Sequence, residues 1–316
     1  MRPIIRIVII TVTSFVLVSI LATPLNNNIL RCQNSYYKRF NPVFEAGPAY
    51  DVLFVGSSRT FRGINPYIID SICHVNSFNA GKDAGHIPDF EMTIKGYLVN
   101  HPAPKLIVLT YDFTSFSTPN EIFNYPLYYP LIENPVIEQT FKKYGYSTSM
   151  IKMFPFLRVT LLDDFTKING VKMLINHRYE GMDTNEHIYK GYLANSNLHM
   201  DKSNIEKTQK RVYVGAESVS ELQEIINMCK TKGIKLIVLY QPEYRFNFEK
   251  SFSNSDSVIN MIAEMAHRAS IPYIRHDTLE MCTDSMLFHD RSHLNINGAK
   301  VYSAILAKEL NPYLSK

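Results

Sequence analysis

The sequence predicts an α/β fold, a flavodoxin-like three-layer α/β/α sandwich around a central parallel five-stranded sheet. Short apolar runs rich in β-branched residues are typical of strands buried on both faces of a parallel sheet. They alternate with amphipathic stretches of helical spacing, which predicts right-handed βαβ units. Glycines and serines come directly after several of the apolar runs, as tight turns require. With 316 residues, 46% hydrophobic and 20% charged, the chain has material for one large α/β domain.

The N-terminus is predicted to be a signal anchor, a transmembrane helix over residues 1–24. Residues 7–22 carry no charge and follow Arg2 and Arg6, and the stretch reaches the roughly 20 residues that a bilayer core demands. Cleavage after Ala22 is the alternative, because a small residue there suits signal peptidase. Ile20, two positions earlier, is larger than that pattern expects, which favours the anchor.

Both outcomes place the rest of the chain outside the cytoplasm. An uncleaved helix makes a single-pass protein of the cell membrane with its domain on the periplasmic side, and a cleaved one makes a secreted protein. Residues 25–50 are polar and are predicted to be a linker. The domain is expected over residues 51–316.

Composition and cysteine spacing exclude several classes of protein. The net charge of +4 comes from 33 basic and 29 acidic residues without a charged block, which argues against nucleic-acid binding. No Cys-x-x-Cys pair is present, which argues against a zinc ribbon or a thioredoxin-type centre. Disulfides are permitted in an exported chain, with three possible connectivities, but buried thiols are the expected state. The four cysteines are Cys32, Cys73, Cys229 and Cys282.

The strands and helices follow one another in a regular order on either side of an interruption. The predicted strands cover residues 51–55, 74–78, 105–111, 234–240 and 272–275. The predicted helices cover residues 66–71, 88–99, 218–232 and 257–269, with a last helix that runs through residue 310. Residues 113–204 lack this rhythm, are crowded with aromatic side chains and are predicted to be an insertion. Within it, residues 134–144 and 150–165 are expected to be helices that cap the sheet, and residues 189–200 to be a loop. The aromatic rings suit either a core or sugar stacking.

A serine turn follows the first strand, where the apolar run stops at Gly56, Ser57 and Ser58. This pattern predicts a tight strand-to-helix turn. In open α/β sheets ligands bind outside the carboxyl ends of the strands, where the next helix N-terminus offers N–H groups to an anion. A serine at this place is a candidate nucleophile.

Asp290 and His293 are candidates to activate that serine. A serine hydroxyl needs a base within hydrogen-bond reach and a group that orients the base. The spacing of three allows the carboxylate to accept from one ring nitrogen while the other faces the serine. A helix cap at Asn295 or Asn297 is the structural alternative. A metal site at His289 and His293 is a further one, but it lacks a third ligand and ranks lower.

The combined pattern resembles the SGNH (GDSL-like) hydrolase superfamily, and within it membrane-anchored cell-envelope proteins related to alginate O-acetyltransferase accessory and teichoic-acid D-alanylation proteins. The family's Gly-Asp-Ser block matches residues 56–58 and nominates Ser58 as the nucleophile, with Ser57 as a rival. Its Asp-x-x-His block matches Asp290 and His293. Its glycine that donates a backbone N–H to the oxyanion is matched by Gly81.

The third family block, Gly-x-Asn-Asp, is altered here. The equivalent residues 109–112 read Leu-Thr-Tyr-Asp, so Tyr111 stands where the family has the asparagine of its oxyanion hole. One missing donor costs on the order of 3 kcal/mol of transition-state stabilisation. Asn79 or the Tyr111 hydroxyl is expected to substitute, which makes Gly81, Asn79 and Tyr111 the predicted oxyanion and substrate-binding residues.

The resemblance implies an extracytoplasmic serine esterase or O-acyltransferase that acts on acyl esters, chiefly acetyl esters, of cell-envelope glycans. Neither a cofactor nor a metal is expected. The expected partners are an acylated glycan or small acyl ester, a membrane-bound acyl-transfer protein and the membrane itself. The alternative is a non-catalytic subunit for envelope-polysaccharide assembly or carbohydrate binding, which the altered third block favours. A dry, aromatic cleft would favour acyl transfer and an open one hydrolysis.

Overall fold

The computed structural model describes residues 3–31, 36–116, 121–176, 188–196, 200, 210–245 and 252–314. The chain forms two compact units. The helical unit comprises Met1–Phe44 with Asn124–Asn185, and the sheet unit comprises Glu45–Phe123 with Glu186–Lys316.

The sheet unit is built on five parallel strands, as predicted. The strands are β1 Val52–Val55, β2 Ser77–Asn79, β3 Leu106–Tyr111, β4 Lys235–Tyr240 and β5 Tyr273–Arg275. Their order is β2-β1-β3-β4-β5 and every pair is parallel. This is the flavodoxin-like order, in which the chain leaves β1 toward one edge of the sheet and later returns to its other side. The carboxyl ends of β1 and β3 therefore flank the crevice where such folds bind ligands.

The described helices are α1 Pro3–Leu30, α2 Tyr37–Phe44, α3 Ser58–Gly63, α4 Pro66–Cys73, α5 Ile87–Asn100, α6 Pro135–Lys143, α7 Ser149–Met153, α8 Phe156–Thr160, α9 Asp164–Asn176, α10 Ala216–Thr231, α11 Ser255–Arg268 and α12 Ile296–Leu314.

Helices cover both faces of the sheet and give the three layers. On one face α3 and α4 pack with α12, whose Tyr302, Leu306 and Leu310 join the apolar core of alternate strand residues such as Val52 and Phe54. On the other face α5 contacts β1 and α10 contacts β4. The predicted α/β/α sandwich is confirmed.

Helix α4 is longer than its sequence pattern indicates, and β2 starts later. His74 ends α4 in the left-handed region at φ +54°, so the chain cannot enter an extended conformation there. Pairing with β1 begins at Ser77, opposite Val52. The predicted strand over residues 74–78 is therefore shifted toward the carboxyl end.

The helical unit differs from the sequence-based expectation in two places. The predicted linker over residues 25–50 contains the end of α1 and all of α2, which is held by a hydrogen bond from Tyr37 Oη to the Leu127 carbonyl at 2.9 Å and by stacking of Phe40 on Tyr128 at 4.9 Å. The helix predicted over residues 150–165 is interrupted at Pro155, because proline cannot donate to the preceding turn.

The insertion was expected to supply helices that cap the sheet, and the described helices of the insertion belong to the helical unit. Helices α8 and α9 pack on α1, within the helical unit. Among the described residues, α1 is the one helix long and apolar enough to span a membrane, although a signal sequence passes the same test.

Three of the four cysteines, Cys73, Cys229 and Cys282, are buried free thiols. Burial raises the pKa of Cys229 to about 12 and that of Cys282 to about 11, which keeps both protonated and unreactive near neutral pH. Cys32 lies outside the described residues.

Candidate active site

The serine turn places Ser58 at the first position of α3, directly behind the carboxyl end of β1. Gly56 makes the turn possible, because a Cβ at this residue would collide with the side chains of Thr60 and Thr110. Ser57 caps the helix, with its Oγ accepting from the Arg59 amide at 3.3 Å. The predicted strand-to-helix turn is therefore present, and Ser58 follows the cap.

Ser57 has a structural partner and lies away from solvent. Its Oγ donates to Asp112 Oδ2 at 2.5 Å, and only 2% of the residue is exposed. Ser57 does not line the cleft that opens at Ser58, so its hydroxyl is not placed to attack an ester there. Ser57 therefore fixes the turn, and Ser58 is the candidate nucleophile.

Ser58, His293 and Asp290 form a continuous hydrogen-bonded chain. Ser58 Oγ lies 2.8 Å from His293 Nε2. On the other side of the ring, His293 Nδ1 lies 2.8 Å from Asp290 Oδ2 and 3.0 Å from Oδ1. The tautomer that donates from Nδ1 to the carboxylate leaves Nε2 able to accept from the serine. This arrangement matches the nucleophile, base and orienting group of serine hydrolases.

The Asp290 carboxylate is held ionised by its surroundings. Partial burial opposes ionisation, but hydrogen bonds from His293 and from the Ser292 and His293 amides outweigh it and lower the pKa of Asp290 well below its ordinary value. The group is thus a permanent anion at neutral pH. A fixed negative charge at this place would stabilise an imidazolium at His293.

The loop that carries these two residues is tied together by Asn295. Its side-chain amide donates to the carbonyls of Met286 and Phe288, at 2.7 and 3.3 Å, and its Oδ1 accepts from the amides of Asn297 and Gly298. Asn295 is thus the helix cap that the sequence allowed as an alternative. The cap and the contact between Asp290 and His293 coexist, and the cap ties down the loop that carries both residues.

A cleft of about 470 Å³ opens at the serine. All of its lining residues belong to the sheet unit, and none of the lining side chains described is aromatic apart from the two imidazoles. The lining consists of Ser58, Arg62, Asp83, Ala84, Ala194, Asn195, Ser196, His289, Asp290 and His293. The cleft is therefore polar, with charges of both signs near the reactive group.

Beneath the serine turn, a buried ion pair joins α3 to the end of β4. Arg59 donates to Glu243 Oε1 at 2.6 Å and to the carbonyls of Gln241 and Pro242 at 2.6 and 3.1 Å. Burial opposes ionisation of the nearby Asp112, but Arg59 and hydrogen bonds from Ser57 and its neighbours lower its pKa. Both Arg59 and Glu243 are almost fully buried, so removal of either partner would leave an uncompensated charge. The pair holds the first turn of α3 against the sheet.

Comparisons with known proteins give likeness at the level of structure. No family model matches the sequence, and no curated protein matches it. A "putative acylhydrolase" from Bacteroides fragilis NCTC 9343 aligns with TM-score 0.43 and 12% identity, over 89% of this chain and 96% of that one. A "putative lipolytic protein of G-D-S-L family" from Desulfitobacterium hafniense DCB-2 aligns with TM-score 0.39 and 9% identity, over 81% and 97%. A "putative platelet activating factor" from Streptococcus pneumonia aligns with TM-score 0.44 and 14% identity, over 94% and 99%. The likeness is one of fold only, so the chemistry of the cleft is inferred from contacts within this chain.

Asn79 and Gly81, predicted to bind the oxyanion, are engaged elsewhere. The Asn79 amide is fully buried and donates to the carbonyls of Thr60 and Ile64, both at 2.7 Å. Its Oδ1 accepts from the Gly81 amide at 3.0 Å. A Cβ on Gly81 would collide with the backbone of Phe61, so this glycine allows the turn to approach α3. The structure corrects the assignment: both residues support the helix that carries Ser58.

Tyr111 also lies apart from the cleft. Its hydroxyl is 2.7 Å from that of Tyr273, only 3% of the residue is exposed, and it does not line the cleft. Burial is the main reason why the pKa of the Tyr111 hydroxyl lies far above its ordinary value, and the neighbouring Tyr273 raises it further. A group held in this way does not substitute for the asparagine of the family, and the predicted role of Tyr111 is corrected as well.

The backbone amide of Ser58 is the donor best placed for an oxyanion. It opens α3, ahead of the first intrahelical acceptor, and it has no hydrogen-bond acceptor among the described residues. An oxygen bonded to the carbon that Ser58 Oγ attacks would lie next to this N–H.

Arg62 and Asn195 are residues of the cleft that sequence reasoning missed. Arg62 Nη1 donates to Asn195 Oδ1 at 2.9 Å, and its Nε lies 3.7 Å from Asp83 Oδ1. Arg62 follows Ser58 by four residues on one helix, a spacing that places two side chains on one face and that was available in the sequence. Asn195 reaches the cleft from the segment predicted to be a loop, and no local pattern pointed to it.

The predicted alternative of a metal site at His289 and His293 finds no further support. The described residues hold no group of three or more side chains suited to a metal. The backbone amide of His289 donates to the His293 carbonyl at 2.8 Å, so the two residues close a tight turn. His293 meanwhile uses both ring nitrogens in the chain from Asp290 to Ser58.

Proposed function

We propose that this protein is a serine esterase or O-acyltransferase of the cell envelope that acts on acyl esters, chiefly acetyl esters, of glycans. The single observation that carries the proposal is the contact of Ser58 Oγ with His293 Nε2 at 2.8 Å, backed by Asp290 on the other ring nitrogen. Residues 235 positions apart meet in one cleft with the geometry of general-base catalysis.

The reaction follows from these contacts. Ser58 Oγ bonds to the acyl carbon while His293 Nε2 takes the hydroxyl proton, and the carbonyl π electrons move to the oxygen. The Ser58 amide donates to that oxyanion, and Asp290 stabilises the imidazolium. The intermediate then collapses, the bond to the alcohol breaks, and His293 returns the proton to the leaving oxygen. Water or a second hydroxyl, deprotonated by His293, next attacks the acyl carbon, and the bond to Ser58 Oγ breaks as His293 returns the proton to that oxygen.

The lining of the cleft supports hydrolysis of a polar ester. Arg62, Asp83 and Asn195 offer hydrogen bonds suited to a glycan. An aromatic wall that would exclude water during acyl transfer is absent from the described lining. Hydrolysis of small or glycan-borne acetyl esters is thus the preferred reaction, and transfer to a glycan hydroxyl remains the second form.

The apolar helix α1 supports a place at the membrane. Arg2 and Arg6 precede the apolar stretch, so the positive-inside rule orients the chain with its domain outside the cytoplasm. In this setting acylated glycans of the envelope are the available substrates, and a membrane-bound acyl-transfer protein is the expected partner of a transferase.

A second function, binding of envelope polysaccharide without catalysis, is favoured by one observation. The predicted oxyanion donors Gly81, Asn79 and Tyr111 are engaged elsewhere. A cleft left with a single backbone donor would bind a glycan ester and turn it over slowly.

Labelling with a fluorophosphonate tests the proposal, because the reagent reacts only with an activated serine. We expect one adduct, mapped to Ser58 by mass spectrometry, together with release of p-nitrophenol from p-nitrophenyl acetate. Ser58→Ala should abolish both signals. Ser196→Ala, a serine of the same cleft without a basic partner among the described contacts, should keep them. No adduct on the folded protein would support the binding subunit instead.

A further inference from the structure

The exposed apolar side chains of the described residues are concentrated in the helical unit. Apart from α1, a second group lies between residues 149 and 176, on and between α7, α8 and α9. Its members are Met150, Met153, Leu161, Ile168, Val171, Leu174 and Ile175. A soluble surface scatters such residues singly, whereas a contiguous group indicates an interaction surface.

Helix α9 has one face packed on α1 and another that is apolar and bare. Gly170 faces Leu25 and Ile29, and a Cβ at this glycine would collide with Ile29. Ile168 and Ile175 lie on the part of α9 that does not contact α1, and 52% and 70% of these residues are exposed. Val171 lies between them at 41%, and the spacing of three and four residues places all three on one stripe.

The contacts of α1 show how far this group reaches along the candidate membrane span. The Phe15 ring lies 5.4 Å from that of Phe154 and 5.5 Å from that of Phe156. Phe15 precedes Thr23 by eight residues of helix, which is about 12 Å at the usual rise. Were residues 3–23 to cross a bilayer, the two rings beside Phe15 would lie within its hydrocarbon layer of about 30 Å.

Two basic side chains of this segment have carboxylate partners, as a low-dielectric surrounding demands. Lys152 Nζ lies 2.9 Å from Glu138 Oε2, and Arg158 Nη2 lies 2.5 Å from Glu133 Oε1. Lys172 is exposed beside the stripe of α9, where a long side chain carries its charge to the lipid headgroups. Paired charges and a flanking lysine fit a lipid surface better than water alone.

We propose that residues 149–176 are a second membrane element: α7 and α8 lie among the acyl chains beside α1, and the Ile168, Val171 and Ile175 stripe of α9 rests in the interface. The occupant of this surface is thus a lipid bilayer, in the leaflet at the carboxyl end of α1.

Tryptophan quenching tests the proposal cleanly, because the chain contains no tryptophan. Met153→Trp, Ile168→Trp and Ile175→Trp are made singly in the full chain, which is placed in vesicles of phosphatidylcholine and phosphatidylglycerol. Part of the phosphatidylcholine carries bromine on its acyl chains and quenches nearby indoles. Leu17→Trp in α1 is the positive control. Val99→Trp, an apolar residue 57% exposed on α5 of the sheet unit, is the matched negative control.

We expect several-fold quenching at Leu17, Met153, Ile168 and Ile175 and little at Val99, with Met153 quenched more than Ile175 by bromine placed deep in the chain. Quenching at Ile168 and Ile175 no greater than at Val99 would overturn the proposal. Blue-shifted tryptophan emission that depends on the protein-to-lipid ratio but is not quenched by brominated lipid would also overturn the proposal. That result would indicate that a second copy of the chain covers this surface. An unquenched Leu17 variant would overturn it too, because α1 would then lie outside the bilayer.

Discussion

Two short regions lie beside Ser58, and they differ in what their polar side chains bond to. In the loop at residues 288–298, Asn295 satisfies the backbone and leaves the His293 ring free to reach Ser58 at 2.8 Å. In the turn at residues 79–82, the Gly81 amide donates to the Asn79 side chain, which in turn donates to the Thr60 carbonyl in α3. In the first region the His293 ring faces the Ser58 hydroxyl. In the second region the N–H groups of Asn79 and Gly81 are used in hydrogen bonds that support α3. The same residue types thus serve either purpose, depending on which backbone groups lie nearby.

The largest expected effect comes from the base. His293→Ala removes the proton acceptor of Ser58, and kcat for p-nitrophenyl acetate should fall by about four orders of magnitude or more. His289→Ala, in the same cleft but with no bond to Ser58 among those described, should retain most of the activity. Equal losses in the two variants, together with inhibition by a chelator, would contradict the triad and restore the metal interpretation.

The orienting carboxylate comes next. Asp290→Asn keeps the shape but removes the charge that stabilises the imidazolium, so kcat should fall by about a thousand-fold or more. Asp83→Asn is the matched control, because Asp83 lines the cleft and faces Arg62 rather than His293. A loss at Asp83 as large as that at Asp290 would show that the general charge of the cleft, and not the orientation of the base, carries the effect.

The turn should respond in stability more than in catalysis. Asn79→Ala breaks the bonds to Thr60, Ile64 and Gly81, and we expect a loss of about 2 to 3 kcal/mol in the free energy of unfolding by urea. The kcat of the molecules that remain folded, counted by fluorophosphonate titration, should change only a few-fold. If kcat fell a hundred-fold with unfolding unaltered, Asn79 would be an oxyanion donor after all.

Asp290 also makes stability depend on pH, in a direction set by its lowered pKa. A carboxyl whose folded pKa lies below its ordinary value of 3.8 stabilises the fold above that pH, and the contribution is lost as the pH falls toward the folded pKa. The wild-type protein should therefore have a higher Tm than Asp290→Asn at pH 7, with the gap narrowing below about pH 4. A gap that widened in acid would contradict the ionised state of Asp290.

The smallest effect is expected at Tyr111. Tyr111→Phe removes the bond to the Tyr273 hydroxyl and should lower the free energy of unfolding by about 1 kcal/mol without a change in kcat. Tyr273→Phe should match it, and the double variant should cost little more than either, because both remove one bond. A catalytic loss confined to Tyr111→Phe would place its hydroxyl in the reaction.

The sequence was a good guide wherever a function depends on neighbours along the chain. Apolar runs in the sequence predicted the five strands, and small residues directly after the first run predicted the turn at residues 56–58. Asp290 and His293 lie three apart, so their contact needs only one turn of backbone. Parallel strands then bring Ser58 to the same edge of the sheet by topology.

The roles of Asn79, Gly81 and Tyr111 depended on partners distant in sequence, and there the prediction failed. Nothing local shows that the Asn79 amide meets the carbonyls of Thr60 and Ile64 or that Tyr111 meets Tyr273 across the sheet. The polar stretch at residues 25–50 was predicted to be a linker but contains α2, for a similar reason. Its Tyr37 and Phe40 are buried by residues 127 and 128, far along the chain.

The meeting of Phe15 with Phe154 and Phe156 has a consequence for biogenesis. The N-terminal helix leaves the ribosome long before residues 154 and 156 are made, so this contact can form only late in synthesis. Removal of α1 would leave the rings of Phe154 and Phe156 and the surface at Gly170 without these contacts. Helix α1 is thus a surface on which later helices of the same unit pack.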